Sequence, residues 1–457
     1  MLCVRRSLAL RGVCRVPGDK SISHRALLFG ALCRGTVEIR GLGLGGDNAS
    51  TATALRALGV PVQVTGATAT VQGVGFAGLA RAAGSLDCGN SGTTMRMLCG
   101  LLAGRPFPST LHGDASLSRR PMGRVAKPLR SMGAQIEGQC PAGAPDRVLP
   151  PLVIHGGKLK GIEYALPVAS AQLKSALVLA GLQAQGKTRI VEPALSRDHT
   201  ERMLGFLGAP IRALERNVIE VDPTGWNGEL VAMPVEVPGD LSSAAFVLVA
   251  AALIPGSDVT VQQVGLNPTR TGVLDVLRAM AADTEVAVTG QAMGEPIGTV
   301  RVRSARGLRA TTIAGELALR SIDEIPVLAV ACAMAEGRSQ FSDLGELRIK
   351  ESDRIACMAR ELRRAGVEVE ESPDGFSLVG SAGQPPKGGE VKPDHDHRIA
   401  MAGAILGLCA EEETLIPSHD IATSFPGFAA TLASLGADIR QIEPVDTASG
   451  KPPLIER

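Results

Sequence analysis

Six short polar clusters punctuate this 457-residue chain, each directly ahead of an apolar run. They read Lys20-Ser21-Ile22-Ser23-His24-Arg25, Asn90-Ser91-Gly92-Thr93-Thr94-Met95-Arg96, Ser170-Ala171-Gln172-Leu173-Lys174-Ser175, Gly239-Asp240-Leu241-Ser242-Ser243, Asp323-Glu324-Ile325-Pro326 and His395-Asp396-His397-Arg398. Serine, aspartate and asparagine in such places are helix N-caps, whose side-chain oxygens accept hydrogen bonds from the free N–H groups of the first turn. Capping does not account for the Lys, Arg, His or Gln that four of the clusters also carry, because the positive end of a helix dipole disfavours a cation. Basic residues there need an anionic partner, and the backbone N–H groups of the helix start bind the same anion. Six such starts turned to one centre would make a cleft for substrates bearing phosphate and carboxylate groups.

A repeated unit of about 75 residues must position these clusters. A second helix-like tail, followed by Gly or Ala, recurs six times. The tails are Leu55-Arg56-Ala57-Leu58-Gly59, Leu129-Arg130-Ser131-Met132-Gly133, Leu204-Gly205-Phe206-Leu207-Gly208, Leu277-Arg278-Ala279-Met280-Ala281, Leu362-Arg363-Arg364-Ala365-Gly366 and Leu432-Ala433-Ser434-Leu435-Gly436. In the first unit a strand Thr36-Val37-Glu38-Ile39 follows the first helix, a second helix runs from Asn48 to Leu58, and the strand Val60-Pro61-Val62-Gln63-Val64 comes next. Strands within so long a period imply packed βαβ-type modules, an α/β fold, rather than a thin solenoid.

A chain of this length divides into two domains of about 200 residues each, with the second beginning near Pro238-Gly239-Asp240. Apolar residues make up 45% and aromatics only 2%, so the core is built of Ala, Val, Leu and Ile, which suits closely packed helices. The net charge of +1 argues against a nucleic-acid or membrane surface, and no apolar run suggests a membrane span. Nine scattered cysteines, without a CxxC pair or a metal-like Cys/His spacing, read as free thiols in a reducing compartment. The basic stretch Met1 to Cys14 mimics a transit segment, but the first functional motif starts near Pro17 and leaves little to cleave; the expected location is the cytoplasm. Gly41 to Gly46 lacks a GxGxxG pattern and reads as a turn. Gly138 to Pro151 and Gly383 to Lys392 read as loops, and Asp446 to Arg457 as a poorly ordered tail.

Several motifs in sequence order resemble the 5-enolpyruvylshikimate 3-phosphate synthase family from about residue 7 to residue 440. They are Pro17-Gly18-Asp19-Lys20-Ser21, Gly89-Asn90-Ser91-Gly92-Thr93, Arg120-Pro121-Met122, Ser170-Ala171-Gln172-Leu173-Lys174, Ser196-Arg197-Asp198-His199-Thr200, Ile322-Asp323-Glu324-Ile325-Pro326, Lys350-Glu351-Ser352-Asp353-Arg354 and Asp396-His397-Arg398. The resemblance implies a two-domain inside-out α/β barrel of six βαβαββ-type repeats, three per domain. One domain would span 19–237 and the other 1–18 plus 238–457. It implies transfer of the enolpyruvyl group of phosphoenolpyruvate to the 5-hydroxyl of shikimate 3-phosphate, with release of phosphate. Asp323 would be the base at the hydroxyl, Glu351 the acid at the methylene, and Lys20 an assistant in proton transfer. Lys20, Ser21, Arg25, Ser170, Ala171, Gln172, Arg197, Asp323 and Lys350 would hold shikimate 3-phosphate. Lys20, Asn90, Gly92, Arg120, Gln172, Glu351, Arg354, His397 and Arg398 would hold phosphoenolpyruvate. Arginine suits both tasks because its planar fork pairs bidentately with carboxylate or phosphate.

Departures from the family pattern matter as well. Many members have two adjacent serines where this chain has Ser170-Ala171, and a lysine ahead of the late motif where it has Ala422-Thr423-Ser424-Phe425-Pro426. With Arg197-Asp198-His199-Thr200 and Asn267-Pro268-Thr269-Arg270, the chain resembles the second class of these enzymes, in which an arginine matching Arg197 shares phosphate binding. Some of those carry Ala at the place of Gly92, and that methyl narrows the space for the inhibitor glyphosate. Taken alone, Lys350-Glu351 and Asp353-Arg354 are ordinary solvated salt bridges; their place at a strand-to-helix junction favours a functional role. The rival family, which transfers enolpyruvyl to UDP-N-acetylglucosamine, uses a loop cysteine that Gly113 to Pro121 lacks. A non-catalytic repeat protein would not need these acids and arginines together. No metal and no organic cofactor are expected, since no His/Cys/carboxylate cluster shows metal-ligand spacing. The chain is expected to act as a monomer whose halves close on their substrates, like charges facing each other across the open cleft.

Overall fold

Each of the six polar clusters starts a helix. In the computed structural model, which describes residues 1–141, 147–304 and 307–443, Asp19 caps Lys20–Leu32, Ser91 caps Gly92–Ala103 and Ser170 caps Ala171–Gly181. Asp240 caps Leu241–Leu253 and Asp396 caps His397–Gly407. All five side chains accept a backbone N–H of the first turn. The sixth, Ile325–Met334, begins after Glu324 without a side-chain cap and has Pro326 in its first turn, where a missing N–H costs nothing. These helices are buried on nearly every face; in Leu241–Leu253 only the last residue is not. Small residues permit that crowding. A Cβ on Gly100 would lie 2.1 Å from the Ala176 carbonyl oxygen of the facing helix.

The recurring tails end the second set of helices: Gly46–Ala57, Gly123–Ser131, His199–Phe206, Gly272–Ala279, Arg354–Arg364 and Phe428–Ser434. The Gly or Ala behind each tail is left-handed, at Gly59, Gly133, Gly208, Ala281, Gly366 and Gly436. That conformation returns the chain to the last carbonyls of the helix. Five positions use glycine, which has no Cβ penalty there; Ala281 holds φ 65° regardless.

Six four-stranded sheets share one plan. An edge strand pairs parallel with its neighbour, and two antiparallel pairings follow. In the first, Val235–Glu236 runs parallel to Arg34–Arg40, which pairs with Thr68–Val74 and then Val62–Thr65. The amino-terminal segment completes two sheets of the carboxy-terminal half. Leu2–Val4 sits between Thr414–Ile416 and Ile439–Gln441, and Arg11–Cys14 edges Asp258–Gly265. The buried apolar residues accordingly fall into two clusters. One runs from Ile22 to Val237 with Met293 added, the other from Leu241 to Ile439 with Leu2, Val4, Leu10 and Val16 added. Where the chain passes between them, Asp19 N donates to Pro238 O and Asp240 N to Pro17 O, both at 2.8 Å.

Several boundaries differ from expectation. The helix expected over Asn48 to Leu58 starts two residues earlier, behind Gly45. The strand expected at Val60 starts at Val62, because Val60 N is taken by the Leu55 carbonyl as the helix unwinds. The first strand extends to Arg34–Arg40. Of the loop expected over Gly138 to Pro151, Gly138 and Gln139 end the strand Gln135–Gln139, Leu149 to Pro151 begin the strand Leu149–His155, and residues 142–146 lie outside the described residues. Leu347 to Glu351 lies between the strand Glu336–Phe341 and the helix Arg354–Arg364, as expected, and a 3₁₀ turn, Gly345–Ile349, occupies part of that junction. The tail from Asp446 lies outside the described residues. Among the described residues, no helix is long and apolar enough to cross a membrane. All nine cysteines are free thiols, with Cys88 and Cys99 buried.

Candidate active site

The starts of the six inner helices meet at one cavity of about 230 Å³. Lys20 and Ser21, Gly92 and Thr93, Ser170 to Gln172, Asp240, Asp323 and Arg398 reach it from the successive starts. Nine basic residues (Lys20, Arg96, Arg120, Arg124, Arg197, Arg270, Lys350, Arg354, Arg398) and six acidic ones (Asp47, Asp240, Asp323, Asp343, Glu346, Glu351) line it. That excess, added to the helix dipoles, makes the cavity anion-selective while the whole chain is nearly neutral.

Asp323 stands at the centre. Its carboxylate accepts from Arg197 at 2.5 Å and from Arg354 at 3.3 Å, and its carbonyl accepts from Arg398 at 2.8 Å. Burial alone would raise its pKa, but Arg197, Arg398, Lys350 and Arg354 together hold it well below the usual carboxylate value. Glu351 follows the same logic. Burial pushes it up, and Arg354 at 2.8 Å, Arg120 at 3.8 Å, His397 and Lys20 bring it well below. Both acids are therefore ionised. Lys350 is shifted down, first by burial and then by Arg354 and Arg197, against the pull of Asp323 and Glu351.

Arg354 is 2% exposed and is held from behind by Asp396, the cap of the sixth helix, at 2.8 Å. Its two terminal nitrogens face Glu351 and Asp323. Arg120 is aimed by Asn90, whose side-chain oxygen lies 2.6 Å away and whose amide is in turn held by Asp114 at 2.7 Å. Gln172 accepts from Arg96 at 2.5 Å and donates to Thr93 at 2.8 Å. Lys20 pairs with Asp47 at 3.1 Å. A Cβ on Gly92 would meet the Arg96 guanidinium at 2.6 Å, so glycine keeps that side of the cavity open.

Thirteen of the sixteen residues proposed from sequence line the cavity; Arg25, Asn90 and His397 do not. Arg25 is buried and spends its nitrogens on Thr200, the Ser21 carbonyl and Ser175. Asn90 acts on the cavity through Arg120. His397 is buried, and burial followed by Lys20 pushes its pKa down to about 4, so it is neutral near pH 7. Asp47, Arg96, Arg124, Glu346 and Arg270 were not singled out for a role in the sequence. Arg96 and Arg270 stand inside motifs quoted above; the other three carry no local signal.

Two expectations are corrected. The faces of the cleft present opposite charges to each other, not like ones: Arg197 meets Asp323, Arg124 meets Glu346 at 2.9 Å, and Arg120 meets Glu351. The arginines come from one half and the acids from the other. A metal-type side-chain cluster does exist, away from the cleft: His395, His419 and Asp420 bring three ligand atoms within 4.8 Å of one another. The stretch Ala422 to Pro426 also lies outside the cavity lining.

Comparison with known proteins agrees over nearly the full length. The family model for EPSP synthase (3-phosphoshikimate 1-carboxyvinyltransferase) matches residues 4–432. A 3-phosphoshikimate 1-carboxyvinyltransferase of Halorhodospira halophila is 52% identical over 443 residues, 96% of each chain. One from a Synechococcus strain is 51% identical over 440 residues, covering 95% of this chain and 96% of the relative. The solved EPSP synthase from Acinetobacter baumannii superposes with a TM-score of 0.85 at 41% identity, covering 97% of this chain and all of the other. The enolpyruvyl transferase NikO from Streptomyces tendae shares the fold, with a TM-score of 0.75 at 19% identity.

Proposed function

The chain belongs to the EPSP synthase (3-phosphoshikimate 1-carboxyvinyltransferase) family, and on that premise we propose how its own residues divide the work. The reaction moves the enolpyruvyl group of phosphoenolpyruvate to the 5-hydroxyl of shikimate 3-phosphate and releases phosphate. Ser21, Ser170, Gln172, Arg197 and Lys350 hold the shikimate 3-phosphate, with the Ala171 backbone beside them and Arg25 fixing the Ser21 carbonyl. Arg120, Arg354 and Arg398 clamp the phosphoenolpyruvate beside Gly92, with Asn90 aiming Arg120, His397 behind Glu351, and Lys20 at the departing phosphate.

The observation that carries this reading is the pairing of both acids with substrate-binding arginines. Asp323 and Glu351 are ionised because those arginines face them. Substrate phosphates and carboxylates that take over Arg197, Arg120 and Arg354 remove that stabilisation, and burial then raises both pKa values. Asp323 becomes a base able to take the 5-hydroxyl proton as its oxygen bonds to C2 of the enolpyruvyl group. Glu351 picks up a proton and delivers it to the methylene carbon. As the C2–O bond to phosphate breaks, the resulting methyl returns a proton to Glu351 and Lys20 donates to the departing phosphate. The nine basic residues supply the neutralising charge, so the transfer itself is proposed to need neither metal nor organic cofactor.

The two apolar clusters and the uniform sheet plan support a division into 19–237 and 1–18 plus 238–457, each of three βαβαββ-type repeats wound as an inside-out α/β barrel. Arg197 within the cavity supports the second-class resemblance. A cytoplasmic monomer fits the free thiols. The test is phosphate release from phosphoenolpyruvate with shikimate 3-phosphate and, in parallel, with UDP-N-acetylglucosamine, before and after exhaustive EDTA treatment. Release with the first acceptor only, unchanged by EDTA, is expected. Release with the second, or a loss that added Mg²⁺ restores, would overturn the corresponding part.

A further inference from the structure

Of the six polar clusters, the last carries a residue that the transfer chemistry does not use. His395 points away from the cleft with its side chain 84% exposed. Its Nδ1 lies 3.3 Å from His419 Nε2 and 3.6 Å from Asp420 Oδ2, and His419 Nε2 lies 2.8 Å from the same oxygen. We propose that His395, His419 and Asp420 form a surface site for a divalent transition-metal ion of the zinc class.

The triangle has the right size. With metal–nitrogen and metal–oxygen bonds of about 2.0–2.2 Å, neighbouring ligand atoms stand about 3.3–3.5 Å apart in a tetrahedron and about 2.9 Å apart in an octahedron. The three observed edges span that range. The ligand set of two imidazoles and one carboxylate is one that zinc, nickel and copper favour, whereas calcium and magnesium prefer oxygen alone. The carboxylate oxygen also lacks a partner. Asp420 Oδ2 is shielded from solvent and takes part in no well-directed hydrogen bond, although a ring nitrogen lies 2.8 Å away. A cation at the centre of the triangle would satisfy that shielded oxygen. His395 and His419 leave the remaining coordination positions open to water.

The backbone bears out that this side chain is placed with effort. Asp394 and His395 are consecutive non-glycine residues in the left-handed region, at φ 50° and 61°, a conformation that a Cβ disfavours. Arg360 holds the turn through Asp394 at 2.8 Å. The next residue is Asp396, which braces Arg354. On the other side, Asp420 precedes the 3₁₀ turn Ile421–Thr423, whose Thr423 carbonyl packs against Gly45 of the amino-terminal half so closely that a Cβ there would lie 2.0 Å away. A bound ion would tie the turn behind Arg354 to the segment that rests on the other half.

The test uses untagged, EDTA-stripped full-length protein titrated with Co²⁺, followed by visible absorption, and with Zn²⁺ by calorimetry. One equivalent of saturable binding with a d–d band is expected, with Zn²⁺ displacing Co²⁺ and raising the melting temperature. His395→Ala and His419→Ala should each weaken binding at least tenfold and abolish the thermal shift; both alter exposed side chains, and circular dichroism confirms their folding. Absence of saturable binding in the wild type would mean a self-contained side-chain triad and overturn the proposal. Binding that survives both substitutions, for example at the exposed Cys140, would overturn it too.

Discussion

At the level of single residues the site is a set of carboxylates held ionised by the cations that face them. Glu351→Gln and Asp323→Asn remove the proposed acid and base, and each is expected to lower turnover by about 10²–10⁴. Steady-state kinetics with calorimetry should show shikimate 3-phosphate affinity little changed in Glu351→Gln; near-normal turnover would refute its acid role. Arg197 leads the charges that depress Asp323, so Arg197→Gln should shift the acidic limb of the kcat/KM profile to higher pH, which a loss of phosphate contact alone would not do. The stability linkage has a definite sign. Both acids have folded-state values below their ordinary 3.8 and 4.5. Their contribution to stability is complete above the ordinary values and is lost as pH falls through the folded ones. Most of these residues were legible because each motif is local. Asp47, Arg124 and Glu346 were not, because their partners lie 27 and 222 residues away.

At the level of elements, cap chemistry explains why the helix starts could be read from sequence so closely. A Ser or Asp cap acts within three residues, and five of the six caps make the hydrogen bond their type predicts. The strands were harder. Leu2–Val4 and Arg11–Cys14 were not read as strands, because the strands that complete their sheets come hundreds of residues later. The left-handed tail positions offer a direct test. Ala281 is exposed and held at φ 65° where the other five units place glycine. Ala281→Gly relieves about 1–2 kcal/mol of left-handed strain and gives back about 0.4–1 kcal/mol through the unfolded chain, so a small net stabilisation is expected in denaturant melts. Gly100→Ala should do the reverse. Its methyl would strike the Ala176 backbone between two inner helices, an overpacking that costs about 1–3 kcal/mol. Equal midpoints for wild type and both variants would show that neither contact matters.

At the level of the whole molecule, two chain crossings join the halves, and the ion pairs between the halves among the described residues include Arg197–Asp323, Arg124–Glu346, Arg120–Glu351 and the exposed Arg216–Glu316. The crossings are braced by Arg270, buried between Asp19 and Asp240 at 3.1 Å each, so the two caps that start facing helices share one cation. Arg270 is thereby placed to act as a pivot, and opening the cleft would break Arg197–Asp323, Arg124–Glu346, Arg120–Glu351 and Arg216–Glu316. Arg124–Glu346 is partly exposed, so it contributes modestly and is weakened by salt. Arg124→Ala removes it without touching either proposed acid. Small-angle scattering should then show a larger radius of gyration than wild type in the absence of substrate, most clearly at moderate salt. Shikimate 3-phosphate, in the binding proposed above, would bridge Arg197 in one half and Lys350 in the other, so it should return the variant to the wild-type radius. Closure completes the arginine clamp, so phosphoenolpyruvate should bind more tightly once the first substrate is present, and by linkage the enhancement must be mutual. A radius indifferent to both the substitution and the substrate, with phosphoenolpyruvate affinity independent of the first ligand, would mean that the halves do not move.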